Sequence, residues 1–185
     1  MIILLILSII ILVLFVFVIV AYNKCIKLRN YVREAFSTMD VYMKKRWDLI
    51  PNLVEIVKGY AKHEKGVLEQ ITKLRNSEYS TMSNHQKLQT NSELAQVLTK
   101  FMAVVENYPN LKADQHFLQL SRDLSSIETD IANSRKYYNG TVRLLNNFLE
   151  MFPTNIIGFI FGIKKEKMFD ISETERQNVE VAVNE

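Results

Sequence analysis

The sequence is poor in the residues that carry most covalent and metal chemistry. One cysteine among 185 residues excludes an intrachain disulfide framework and any Cys-based zinc cluster. The three histidines, His63, His85 and His116, are scattered. Neither Glu-x-x-His nor His-Glu-x-x-His occurs, which removes a ferritin-like di-iron site and a metalloprotease helix. Isolated histidines of this kind are surface or capping residues. The five glycines never form a Gly-rich turn before a helix, and there is no Gly-x-Ser-x-Gly elbow, so phosphate loops and hydrolase nucleophiles are missing. No segment sustains the period-two alternation of a half-buried strand, which argues against a sheet. The net charge of +3 is too small to point to nucleic acid, and much of the basic excess lies just after an apolar run. No cofactor and no metal are expected.

Charge is absent altogether from Met1–Tyr22, and eighteen of these 22 residues are Leu, Ile, Val or Phe. As a helix the run extends roughly 33 Å at 1.5 Å per residue, enough for a bilayer core of about 30 Å. Each such residue favours insertion by about 0.3–0.6 kcal/mol at the helix centre, so the total is several kcal/mol. A cleaved signal peptide would have a basic start, a shorter apolar core and a small-residue cleavage site. Met1 instead runs straight into Ile2, and the exit Val20-Ala21-Tyr22-Asn23-Lys24 lacks that site. Cys25 follows Asn23 and Lys24, which does not fit a lipoprotein, and its place at the membrane boundary suits acylation or no role better than catalysis. Residues 1–22 therefore read as an uncleaved anchor. No Lys or Arg precedes the span, whereas Lys24, Lys27, Arg29 and Arg33 follow it. The positive-inside rule then places the N-terminus outside and the main domain in the cytoplasm.

Beyond the anchor, apolar residues recur at alternating spacings of three and four, the period of a buried helical seam. Leu28, Val32, Ala35, Met39 and Tyr42 mark a first helix; Ile50, Leu53, Val57, Tyr60, Val67, Ile71 and Leu74 a second. Leu94, Leu98, Phe101, Val105 and Tyr108 mark a third, and the series from Phe117 through Leu124, Ile131, Tyr138 and Leu145 to Phe152 a fourth. The punctuation agrees: Asp48 as a cap ahead of Pro51, a polar stretch over 76–92, Asn107-Tyr108-Pro109-Asn110, Asp114 as a second cap, and Pro153. The expected fold is all-α, an N-terminal transmembrane helix followed by an antiparallel four-helix bundle over 23–152. With four helices, the chain after Phe152 returns to the bilayer. There, within an apolar and basic segment over 153–169, Ile156, Ile157, Phe159, Phe161, Lys164 and Lys165 join Lys24, Lys27 and Arg29 as candidate membrane contacts. Packing of the segment against the bundle end explains it equally well. The tail over 170–185 has five acidic side chains and one basic, and reads as flexible.

Two polar groups stand out. Glu64 falls on the apolar seam of the second helix, where a charge needs a partner. A pair with Lys or Arg accounts for it better than a catalytic acid, and Arg135, Tyr138 and Asn139 are candidates for the same buried polar layer. An enzyme built on His63 and Glu64 is disfavoured, since adjacent helical residues diverge by about 100°. At the expected turn beside Asp48, Arg46 and Trp47 with Asn52 form a candidate partner-binding site, because Trp and Arg dominate binding hot spots. Packing of the turn would explain the same residues.

The stretch Arg46-Trp47-Asp48-Leu49-Ile50-Pro51-Asn52-Leu53-Val54-Glu55, followed by Val57-Lys58-Gly59-Tyr60-Ala61-Lys62-His63-Glu64, resembles the bacterial LemA family. So do Tyr22-Asn23, Leu28-Arg29-Asn30, the run from Ala103 through Tyr108-Pro109-Asn110 to Lys112, and Phe152-Pro153-Thr154-Asn155-Ile156-Ile157. The likeness extends from the anchor to about Phe169. One departure is Phe36, where the family pattern has tryptophan; the exchange keeps an aromatic ring. The resemblance implies a membrane anchor with a helical bundle in the bacterial cell membrane, with no catalytic residues to carry over. It also implies membrane proteins as a partner class, including membrane-bound zinc peptidases of the heat-shock type. A homo-oligomer is left open. The expected function is a non-catalytic membrane-tethered interaction or adaptor module, and the alternative is a membrane-organising or lipid-binding structural protein.

Overall fold

The computed structural model describes residues 1–60, 65–75 and 78–169, and among these the chain is all-α, with no strand. Its helices are α1 (Ile2–Tyr60), α2 (Lys65–Leu74), α3 (Asn84–Val105), the single turn α4 (Pro109–Lys112), α5 (Gln115–Glu150) and α6 (Thr154–Ile160), with a 3₁₀ turn at Tyr79–Thr81. The chain divides into two compact units. Met1–Met39 with Asn133–Met168 form one; the described residues of Asp40–Ala132 with Phe169 form the other.

The expected turn at Arg46–Asn52 does not exist. Helix α1 runs unbroken to Tyr60 with Pro51 inside it. An interior proline costs about 3 kcal/mol through a lost hydrogen bond and a clash with the preceding turn. On either side of Pro51, Ile50, Leu53, Val54 and Val57 are all buried. At about 1.5–3 kcal/mol for each fully buried aliphatic side chain, their stripe outweighs the proline. Asp48, read as a cap, instead takes an i,i+4 ion pair from Lys44 at 2.5 Å, a contact only helix continuity provides.

In the second unit, Arg46 of α1 meets Glu128 of α5, and Tyr60 meets Asp114, so these two segments run antiparallel. Asp40 and Arg46 of α1 meet Lys87 and Asn91 of α3 in the same order, so α3 runs parallel to α1. Arg75, one residue past α2, lies over the Trp47 ring at 5.4 Å, which brings the end of α2 back along α1. The helix directions alternate, as in an antiparallel bundle. The polar stretch over 76–92 is only partly a connection: α3 starts at Asn84 because Ser83 and Gln86 form a capping box. Pro109 opens α4 at its first position. Asp114 caps α5, accepting from the Phe117 backbone N–H at 3.0 Å.

In the first unit, Lys24 lies 5.7 Å from the centre of the Phe148 ring and Phe36 packs edge-on against Tyr138 at 6.0 Å. This part of α1 and residues 133–150 of α5 are therefore antiparallel too. Cys25, Ala35 and Met39 of α1 and Val142 and Leu145 of α5 are all fully buried. After the break at Pro153, α6 folds onto the end of α5. A Cβ on Gly158 would stand 2.6 Å from Leu149 Cδ2, so glycine permits that approach. Gly162, with φ of +63°, ends α6: the Ile163 N–H donates to Gly158 O and the Gly162 N–H to Phe159 O. Residues beyond return along α5, where the Asn146 side chain donates to Glu166 O and accepts from Glu166 N–H.

Candidate functional site

Three polar features define the second unit. The first is a buried arginine. Met39, Met43, Arg46, Ile50, Leu53 and Val57 repeat at three and four along α1, so Arg46 occupies a seam position and is 1% exposed. Its Nη1 donates to Glu128 Oε1 at 2.5 Å, and its Nη2 to Asn91 O at 2.6 Å and to Asn91 Oδ1. Its Nε has no acceptor. Glu128 reaches solvent, with its side chain 40% exposed, so one half-wet carboxylate and one amide hold a fully desolvated cation.

The second feature surrounds Asp40, which accepts from the Tyr79 hydroxyl at 2.7 Å and from Lys87 Nζ at 2.6 Å. Burial, then the hydrogen bond to Asp40, pushes the Tyr79 pKa well above the ordinary phenol value, so the hydroxyl stays a neutral donor. The Tyr79 ring packs on Trp47 at 5.4 Å, and Arg75 covers Trp47.

The third is an open groove of about 590 Å³ lined by Asn52, Glu55, Ile56, Tyr60, Asp114, His116, Gln119 and Leu120. The Tyr60 hydroxyl donates to Asp114 Oδ2 at 2.9 Å, and this bond raises the tyrosine pKa. The Phe117 backbone N–H, then the Tyr60 hydroxyl, lower that of Asp114. Asp114 is thus a carboxylate at neutral pH. With Glu55, which lies 3.6 Å from Lys58 Nζ, it sets two carboxylates beside the apolar Ile56 and Leu120.

The residues expected at a partner-binding turn are separated by this geometry. Arg46 and Trp47 point into the core and are unavailable as surface anchors. Asp48 is exposed and paired with Lys44, and Asn52 is exposed on the groove. Of the expected polar layer, Glu64 lies outside the described residues, as does His63. In the first unit, Tyr138 is buried and donates to Lys167 O at 2.9 Å; its pKa is pushed up to about 12, chiefly by burial and then by Glu166. Arg135 and Asn139 are half-buried beside it in sequence and each has an interaction of its own.

The first unit carries a different surface. Every residue of the apolar run to Phe17 is exposed. Around α6 in the same unit, Phe159 is 88% and Phe152 81% exposed, and Ile156, Ile160 and Phe161 are exposed too. Phe161 nonetheless touches the Tyr22 ring, at 4.5 Å between centroids. Ile157, expected with this group, is instead buried in the core. Lys27 lies over Tyr31, Arg29 is half-buried, Lys164 is exposed, and Lys165 pairs with Glu150 at 2.6 Å.

Among the described residues, one long apolar helix at the N-terminus, ahead of further helices and no strand, defines a class of candidate membrane-anchored helical proteins. Residues 35–183 match the LemA family, and the chain belongs to it. It is 25% identical over 165 residues to Protein LemA of Metamycoplasma hominis, covering 86% of this chain and 74% of that protein. It is also 32% identical over 72 residues to magnetosome proteins MamQ 1 and MamQ 2 of Paramagnetospirillum magneticum. That match covers 39% of this chain and 26% of each of those longer proteins.

Proposed function

We propose that this LemA-family protein is a non-catalytic interaction module tethered to the bacterial cell membrane, which acts by holding a membrane or membrane-associated protein partner. The observation that carries the reading is α1 itself. Its N-terminal third is a bilayer-length apolar helix that the protein leaves exposed, and the same unbroken helix continues into a buried stripe. The groove is the partner surface: an open cleft with a carboxylate wall and an apolar floor suits a helix or loop bearing both basic and aliphatic side chains.

The test is cross-linking in cells, mild-detergent purification and identification of what accompanies the chain. Glu55→Lys with Asn52→Ala should remove a reproducible partner at unchanged helicity, since both side chains are exposed. Retention of every partner by the double variant would refute the groove assignment.

The basic residues that follow the apolar run support a cytoplasmic helical body. With Cys25→Ala removing the native thiol and Ser80→Cys supplying an exposed one, an impermeant maleimide should label only lysed cells; labelling of intact cells would reverse the topology. The second reading, a membrane-organising or lipid-binding structural protein, is supported by the exposed phenylalanines of α6 and its neighbours.

A further inference from the structure

We propose that α6 and the turns on either side of it rest in the headgroup layer of the bilayer that α1 crosses, giving the protein a second, non-spanning contact with anionic lipid. This rests on the reading of α1 as a membrane anchor and commits to a lipid surface as the occupant.

Position is the first argument. The ring contact between Phe161 and Tyr22 sets α6 at the point on α1 where the charge-free run ends. In a membrane-spanning helix, that point is the lipid–water boundary, where aromatic side chains collect. Shape is the second. α6 is two-sided: Ile157 and Gly158 are buried against the end of α5, while Phe159 and Ile160 face away from the protein. Phe152 extends the outward face from the preceding turn. An apolar face this size left to water would be costly; at a headgroup–acyl boundary it is buried.

Charge is the third argument. Lys24 lies over Phe148 at the end of α5, and exposed Lys164 follows the glycine that ends α6. Lys27 is one turn beyond Lys24 on α1. No acidic side chain occurs between Met151 and Lys165; the exposed residues there are apolar or basic apart from Asn155, and Glu150 just before them is paired with Lys165. That pattern complements an anionic bilayer surface and not a second copy of the same basic face.

The test uses the full chain carrying Cys25→Ala, reconstituted into vesicles of phosphatidylcholine and phosphatidylglycerol. A nitroxide is attached at Phe159→Cys, Val13→Cys or Tyr137→Cys, and its collisions with oxygen and with a water-soluble nickel chelate are measured. Tyr137 is exposed on α5, eleven residues before Phe148 and hence roughly 16 Å along the helix axis. The Phe159 label should be rich in oxygen collisions and poor in nickel ones, intermediate between Val13 and Tyr137. Phe159 behaving as Tyr137 would overturn the proposal, because the face would then be in water. Shielding of Phe159 from both reagents would also overturn it, because protein would then cover the face. A nickel-accessible Val13 would show instead that the anchor reading itself fails, and this proposal with it.

Discussion

Replacing Leu12 and Val13 together by arginine should release the protein from the membrane without unfolding it. Each arginine near the centre of a span costs about 2.5–3.5 kcal/mol, and each removes an apolar residue contributing about 0.3–0.6 kcal/mol. The pair therefore opposes insertion by roughly 6–8 kcal/mol. The eighteen aliphatic and Phe residues of the run supply at most about 5–11 kcal/mol before discounting for position, so the pair cancels most or all of the drive for insertion. Folding should be untouched because Leu12 and Val13 are each 61% exposed and support no core. Fractionation at alkaline pH should leave the original chain with the membranes and move the double-arginine variant to the supernatant. A double-alanine variant should stay behind. An arginine variant that remains resistant to alkaline extraction would mean that something other than α1 holds the chain to the bilayer.

Glu128→Ala should lower folding stability by about 3 kcal/mol, whereas Arg46→Met should lower it by only about 1 kcal/mol. The asymmetry follows from burial. Without Glu128, the Arg46 guanidinium keeps only the Asn91 oxygens, its Nε already lacks an acceptor, and water cannot reach it. Without Arg46, Glu128 is still hydrated, the methionine fills the space of the arginine stem, and the main penalty is the unpaired Asn91 side-chain oxygen. The double variant should regain much of the Glu128→Ala loss, because no charge is then stranded. Denaturant unfolding followed by helical circular dichroism measures all three. Equal losses for the two single variants would show that packing around position 46, not the stranded charge, sets the stability.

Much of this architecture is legible in the sequence because two signals are strong. The charge-free run identifies the apolar helix by length alone, and the three–four spacing picks out seam residues such as Val32, Leu53, Leu98 and Leu145, all buried. Boundaries are less legible. Asp48 followed by Pro51 is a good local start signal, but the stripe through Ile50, Leu53 and Val57 overrides it, and that strength depends on what the partner helices present. The polar residues after Ser83 lack an apolar period, so only the capping box with Gln86 marks the start of α3 there.

The Arg46 centre carried a usable signal that a turn assignment concealed. Arg46, Asn91 and Glu128 each occupy a place in a three–four apolar series on their own helix: Met43 and Ile50 flank the first, Leu94 and Leu98 follow the second, and Leu124 and Ile131 flank the third. A charged or amide side chain at a seam position needs a polar partner in the core, and these three are one another's. The groove could not be found in this way. It depends on how Tyr60 and Asp114, 54 residues apart, come to share a hydrogen bond, and neither residue type is distinctive by itself.

The central claim is that a tethered body works by contact, and site-specific photo-cross-linking in intact cells tests it most directly. A photoactivatable side chain at Ile56 or Gln119 in the groove should give a discrete adduct with another membrane or membrane-associated protein, lost on Glu55→Lys, whereas one at exposed Lys100 should not. No adduct from the groove positions, or the same adducts from all three, would contradict the account.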